Sequence, residues 1–190
     1  MEYPLGFEDA PATVPAGSGV LLVHPSTMDA DQFETTFVAA SSDPVLLIST
    51  HSAAREVRQK LEHYDVDLDR VEILDTISVE RGLTRRQSEG VTYLSAPDDL
   101  AGLVDHAAEF LERRGPPARI SLDSITELTY YADAPRVEES LVDLLDLLAA
   151  HDAVGLFQLA ADGEAVVESI RDRFAGVVEV AADGSVTASF

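Results

Sequence analysis

Residues able to do chemistry in this chain collect where short apolar runs end. His24 follows the run Gly19–Val23, and Thr50-His51-Ser52 follows Val45–Ser49. Asp75 closes Val71–Asp75, Asp123-Ser124 closes Arg119–Asp123, and Gln158 lies in Val154–Leu159. If those runs are parallel strands, their carboxyl ends share one sheet edge, where open α/β sheets bind ligands. His24, Asp75, Asp123 and His51 are then candidate ligands for zinc or iron by donor type. No H-x-H or H-x-x-x-H spacing accompanies them. Asp123 alone reads either as a metal carboxylate or as a cap for the backbone of residues 124–126. Ser26, Thr27, Ser49 and Ser52 fit loop and capping roles, since no G-x-S-x-G elbow is present. His63, His106 and His151 fall on expected helices or their ends, where a cation favours the C-terminal turn.

The elements that must position these groups are legible from periodicity. Apolar runs at 19–23, 45–49, 71–75, 119–123 and 154–159 are expected strands, with a short one at 91–94. Amphipathic stretches predict helices over 29–40, from Thr50 or Ser52 to about Tyr64, from Pro97 to about Arg114, over 136–151 and over 163–174. Val177–Val180 and Val186–Phe190 flank an Ala-Asp-Gly-Ser turn and predict a hairpin. Residues 1–18 carry three Pro and two Gly and are expected to be an extended lead-in or lid. The alternation predicts an α/β fold in which helices flank a mostly parallel sheet, with a single domain over 19–190.

Two segments suggest contact surfaces. Arg81, Arg85 and Arg86 lie within six residues of each other in a segment without periodicity. They read either as local partners of Glu80 and Glu89 or as a docking loop for an acidic surface. Tyr130 and Tyr131, expected in a loop running to Pro135, read as an interface anchor, with at least one tucked beneath the next helix.

The ordered set of strands resembles the RecA-superfamily ATPases of the KaiC and RadA type. VPAGSGVLLVHPSTMDADQF resembles their opening strand and phosphate loop, VLLIST their second strand, RVEILDT their third, and RISLDSITEL their Walker B strand. The match spans about residues 15–180 and implies a three-layer RecA-like fold. On the pattern G-x-x-x-x-G-K-[ST], His24 stands at the first Gly, Asp29 at the second, Ala30 at the Lys and Asp31 at the Ser/Thr. Such a loop needs backbone N–H groups around phosphate, an ammonium for its charge and a hydroxyl for Mg²⁺. Here the ammonium is missing and carboxylates flank its place. The water-activating acid that the resemblance places after the second strand is also missing, and only Asp123 matches an acidic Walker B position. The expectation is a vestigial pocket of His24, Thr27, Asp29, Asp31 and Asp123 with no cofactor.

Charge narrows the classes further. The chain has 35 Asp+Glu against 13 Lys+Arg, a net charge of −22 over 190 residues. Twelve of the 13 basic residues are Arg, and the one Lys is Lys60. At molar salt the Debye length falls to about 3 Å, so such self-repulsion is screened. The composition therefore suits a salt-adapted cytoplasmic protein of haloarchaeal type. It argues against duplex nucleic acid, which needs a basic footprint, and the arginine segment is too small a patch for single strands. With no Cys, disulfides and thiolate chemistry are excluded. No apolar run reaches membrane-spanning length, and no secretory leader is visible. Two functions remain. One is a pseudo-ATPase acting as a regulator or adaptor, docking on itself or on a related KaiC/RadA-like subunit. The other is an enzyme with a remodelled pocket for a nucleotide or a metal.

Overall fold

The computed structural model describes residues 1–7, 10–28, 30–83 and 88–190. Its centre is built from the apolar runs. Strands β3 (Ser18–His24), β4 (Val45–Ser49), β5 (Val71–Asp75), β6 (Val91–Tyr93), β7 (Arg119–Asp123), β8 (Val154–Ala160) and β9 (Gly176–Val180) are parallel, and β10 (Val186–Ser189) returns antiparallel beside β9. The eight strands run β10-β9-β3-β8-β7-β4-β5-β6. Both faces are covered, which explains why the strands read as continuous apolar runs rather than as alternations.

Side chains of successive residues leave opposite faces. Leu21, Val23, Leu46, Ile48, Ile120 and Leu122 meet the apolar stripes of α3 (Leu100–Arg114) and α5 (Ala134–Ala150). On the reverse face, Val20, Leu22 and Leu156 meet α1 (Asp31–Ala39), while Val45, Leu47 and Ile73 meet α2 (Ala54–His63). The result is the three-layer arrangement expected, with a C-terminal hairpin turned at Gly184, whose φ is 83°. Gly19 and Gly155 are register partners on β3 and β8. A Cβ at either position would run into side chains of Phe157 and α5, so glycine lets that helix lie close on the sheet.

The lead-in contains a two-stranded ribbon, β1 (Glu2–Pro4) against β2 (Thr13–Pro15). Tyr3, Leu5, Phe7 and Val14 are buried against α1 and the sheet. The Tyr3 hydroxyl donates to the Asp152 carbonyl at 2.7 Å and accepts from the Ala118 N–H at 3.2 Å. Arg119, wholly buried at 0% exposure, holds this corner together. Its Nε donates to Ser41 Oγ and Asp43 Oδ2, and its Nη1 donates to the carbonyls of Pro4 and Phe37.

Three local expectations are corrected. Residues 163–174 form two 3-10 helices, Ala161–Val166 and Glu168–Arg173, instead of one α-helix. The tighter turn sets Val167 and Ile170, three apart, on one inward side. Tyr130 and Tyr131 end a helix, α4 (Ile125–Tyr131), rather than occupying a loop, and both remain exposed. Ala132, not a tyrosine, is what tucks inside. The start of α2 is not capped by Thr50 or Ser52, because the Ala54 N–H donates to Asp75 Oδ2.

Candidate functional site

The ends of β3, β4, β7 and β8 open onto a cavity of about 350 Å³. His24, Asp31, His51, Asp123, Thr126 and Gln158 are among its walls. The segment after β3 enters α1 through Ala30, whose methyl offers no cap to the helix. The first turn of α1 instead carries Asp31 and Glu34, acids that suit the positive end of a helix.

A residue that spacing did not select supplies the missing ammonium. Lys60 reaches across from α2, and its Nζ donates to Asp31 Oδ1 at 2.7 Å and to Glu34 Oε2 at 2.6 Å. Its side chain is 11% exposed and that of Glu34 is 3% exposed. The other Glu34 oxygen accepts from Ser121 Oγ at 2.8 Å. Asp123 lies two residues along β7 from Ser121, on the same face of the strand. Asp31, Glu34 and Asp123 thus bring carboxylate oxygens within 4.8 Å of one another. Burial works to lower the Lys60 pKa, but the Glu34 charge and the bonds to both acids outweigh it, and the ammonium is held above its ordinary value.

Asp123 is pushed the other way. Burial and the nearby Glu34 charge, with a smaller push from Asp31, raise its pKa to about 7, against the pull of His51 and Lys60. His51 Nδ1 lies 3.7 Å from Asp123 Oδ1, beyond a hydrogen bond, and has no hydrogen-bond partner among the described residues. The Thr50 hydroxyl fixes the backbone here, donating to the Asp123 carbonyl and accepting from the Ser124 N–H at 2.7 Å. An unfolded aspartate titrates near 3.8. Between that pH and about 7 the folded chain therefore keeps a proton the unfolded chain has lost, and stability falls as pH rises through this window. Asp123→Asn is accordingly expected to stabilise by on the order of 1–2 kcal/mol at pH 5, which already lies above the unfolded value. At pH 8 it should stabilise by on the order of 2–4 kcal/mol, read from urea midpoints at the two pH values.

Asp75 is fully buried and engaged, accepting from the N–H groups of Ala54, Ile77 and Ser78 and from Ser78 Oγ. That role is structural, and the structure does not bring Asp75 together with His24 and Asp123. Among the described residues, the carboxylates that do converge are Asp31, Glu34 and Asp123, with Lys60 seated on two of them. His24 lines the cavity with Nδ1 3.0 Å from the Pro25 carbonyl oxygen. Thr27 is exposed, and Asp29 lies outside the described residues. Ser124, not Asp123, caps α4, its Oγ accepting from the Glu127 N–H. Ser49 Oγ donates to the Ser52 carbonyl, a loop role.

Arg81 donates to the His51 carbonyl at 2.8 Å, whereas Arg85 and Arg86 lie outside the described residues. His106 sits mid-way along α3, and burial lowers its pKa, so it is no helix-end cation. His63 and His151 do fall at the ends of α2 and α5. Lys60 and Glu34 escaped the sequence reading, although one signal was available. Lys60 is the sole lysine and stands three residues after inward-facing Val57 on α2.

This three-layer sheet with a strand-end cavity is the RecA-like fold. It is similar to the crystal structure of a KaiC-like protein from the hyperthermophilic archaeon Pyrococcus horikoshii OT3. The TM-score is 0.68 over 99% of this chain and 85% of that one, at 13% identity. The chain belongs to a family of unknown function, DUF7090, whose model matches residues 1–190. No curated protein sequence matches it. Among the described residues, no helix is long and apolar enough to cross a membrane.

Proposed function

We propose that this chain is a RecA/KaiC-like domain that does not turn over Mg-ATP and works as a regulatory or adaptor module in the cytoplasm of a halophilic archaeon. The observation that carries this reading is the Lys60 ammonium. At the pocket where a phosphate loop needs a free cation, Lys60 is already shared between Asp31 and Glu34. The loop's own lysine position is Ala30. A triphosphate entering here meets an ammonium already paired with two carboxylates, and each wall carboxylate that is ionised would repel one of its charges by about 4 kcal/mol at 4 Å and a surface-like dielectric.

The remodelled-enzyme alternative lacks comparable support. Asp75 is spent on four hydrogen bonds, and an ammonium lies among the carboxylates that converge. The contact surface we assign to a protein partner, self or a related subunit, includes Tyr130, which is 74% exposed, Tyr131 and Arg81. Arg85 and Arg86 are proposed with it from sequence alone. The test is calorimetric titration of Mg-ATP in molar KCl together with a phosphate-release assay. No binding heat and no released phosphate are expected. Micromolar binding accompanied by phosphate release would end this reading.

A further inference from the structure

We propose that the cavity at the strand ends binds a small organic cation that also carries a carboxylate or carbonyl oxygen, an arginine-like ligand. The inference rests on the reading that this cavity turns a triphosphate away. Two independent features point to it.

The first is the sign of the walls. Asp31, Asp123, Glu127 and Asp162 all face the cavity, and the basic groups among its walls are the imidazoles of His24 and His51. Lys60, behind Asp31, is already committed to carboxylates. An inorganic divalent ion would have to displace that ammonium from Asp31 and Glu34, whereas a larger cation can approach Asp123 and Glu127 from the cavity side. Guanidinium suits such a site because it is weakly hydrated and forks onto carboxylates. The exposed ring of Tyr130 at the rim offers a face to the same charge.

The second feature is Gln158, on β8. It is 1% exposed, lines the cavity, and among the described residues its Nε2 has no hydrogen-bond partner. A buried amide N–H without an acceptor is costly, and an oxygen on the ligand would satisfy it. The cavity volume of about 350 Å³ lies in the range of small-ligand sites. A cation beside Asp123 favours its ionised form, so a carboxyl that is largely protonated below pH 7 must release its proton on binding.

The test is calorimetry on the full chain at pH 6.5 in molar KCl with three probes. L-arginine carries both features, L-citrulline replaces the guanidinium by a neutral urea, and agmatine drops the carboxylate. L-arginine is expected to bind at least tenfold tighter than either. Repeating the titration in buffers of different ionisation heat should show proton release that disappears in Asp123→Asn. Gln158→Met, which keeps volume and removes the amide, should lower L-arginine affinity to that of agmatine. Equal binding of citrulline and arginine, proton release that survives Asp123→Asn, or an unchanged Gln158→Met would each overturn the proposal. If arginine fails to bind and Mg-ATP is also silent, this inference falls while the pseudo-ATPase reading stands. Mg-ATP binding would bring down both.

Discussion

Arg119→Met is expected to destabilise the fold by about 3–5 kcal/mol, the range for breaking a buried, hydrogen-bonded charge. For a domain of this size that corresponds to a melting point lower by roughly 6–20 °C. The guanidinium donates to Ser41, Asp43 and the carbonyls of Pro4 and Phe37. It also lies 4.9 Å from the Phe37 ring centroid and 5.6 Å from that of Tyr3. Methionine fills much of the volume but leaves two carbonyls and the Asp43 carboxylate without this donor. The N-terminal ribbon and the segment after α1 should loosen together, since one side chain ties both to β7. Arg119→Lys keeps the charge but not the planar fork, so it should recover less than half of the loss. Thermal melts in molar KCl read the effect. A loss below about 1 kcal/mol would mean that the bonds made by Arg119 barely exceed the desolvation it suffers.

Lys60→Met is expected to cost a similar amount at pH 8, about 3–5 kcal/mol, and much less at pH 5. Without the ammonium, Asp31, Glu34 and Asp123 face one another with oxygens inside 4.8 Å. Like charges that close cannot all stay ionised, so the folded-state pKa values of these acids rise. A carboxyl whose pKa is higher folded than unfolded contributes stability at low pH and loses it as pH climbs through the folded value. The variant should therefore recover on acidification, while the parent chain changes less. Adding Glu34→Gln should restore much of the stability at pH 8, because it removes the most buried of the three charges. Urea unfolding of the single and double variants at both pH values supplies the coupling energy. A loss that does not depend on pH would assign Lys60 to packing through its stem and leave the charge argument without support.

The strands were legible because their surroundings repeat a simple demand. β4, β5 and β7 occupy the residues that the apolar runs marked, 45–49, 71–75 and 119–123. Each is covered on both faces and is mostly apolar, and their buried polar residues, Ser49, Asp75, Arg119 and Ser121, all find hydrogen-bond partners. Where the demand was less regular, periodicity misled. Val166, Val167, Ile170 and Phe174 fit an α-helical face on paper, yet the chain takes the 3-10 turn that points Val167 and Ile170 inward. Tyr130 and Tyr131 looked like loop residues because Ser124 as a cap and only Ile125 and Leu128 as buried contacts make a short, weakly patterned helix.

The pocket was half visible. Ala30 and Asp31 could be read against a phosphate-loop pattern, and Asp123 against a strand end. The cation that answers them comes from another helix 29 residues away from Asp31 and 26 from Glu34, a distance no local pattern spans. Asp75 shows the opposite failure. Its bonds to Ile77 and Ser78 are local and readable as a turn, but its hold on Ala54 depends on two strands lying side by side.

The single lysine also turns the chain into its own reporter. With one ε-amine in the sequence, and that one sealed between two helices against carboxylates, an acylating reagent has no other side-chain amine to attack. Nucleophilic reaction requires a deprotonated nitrogen that has left its partners. The speed of labelling at Lys60 is therefore a clock for how often the seam between α1 and α2 parts.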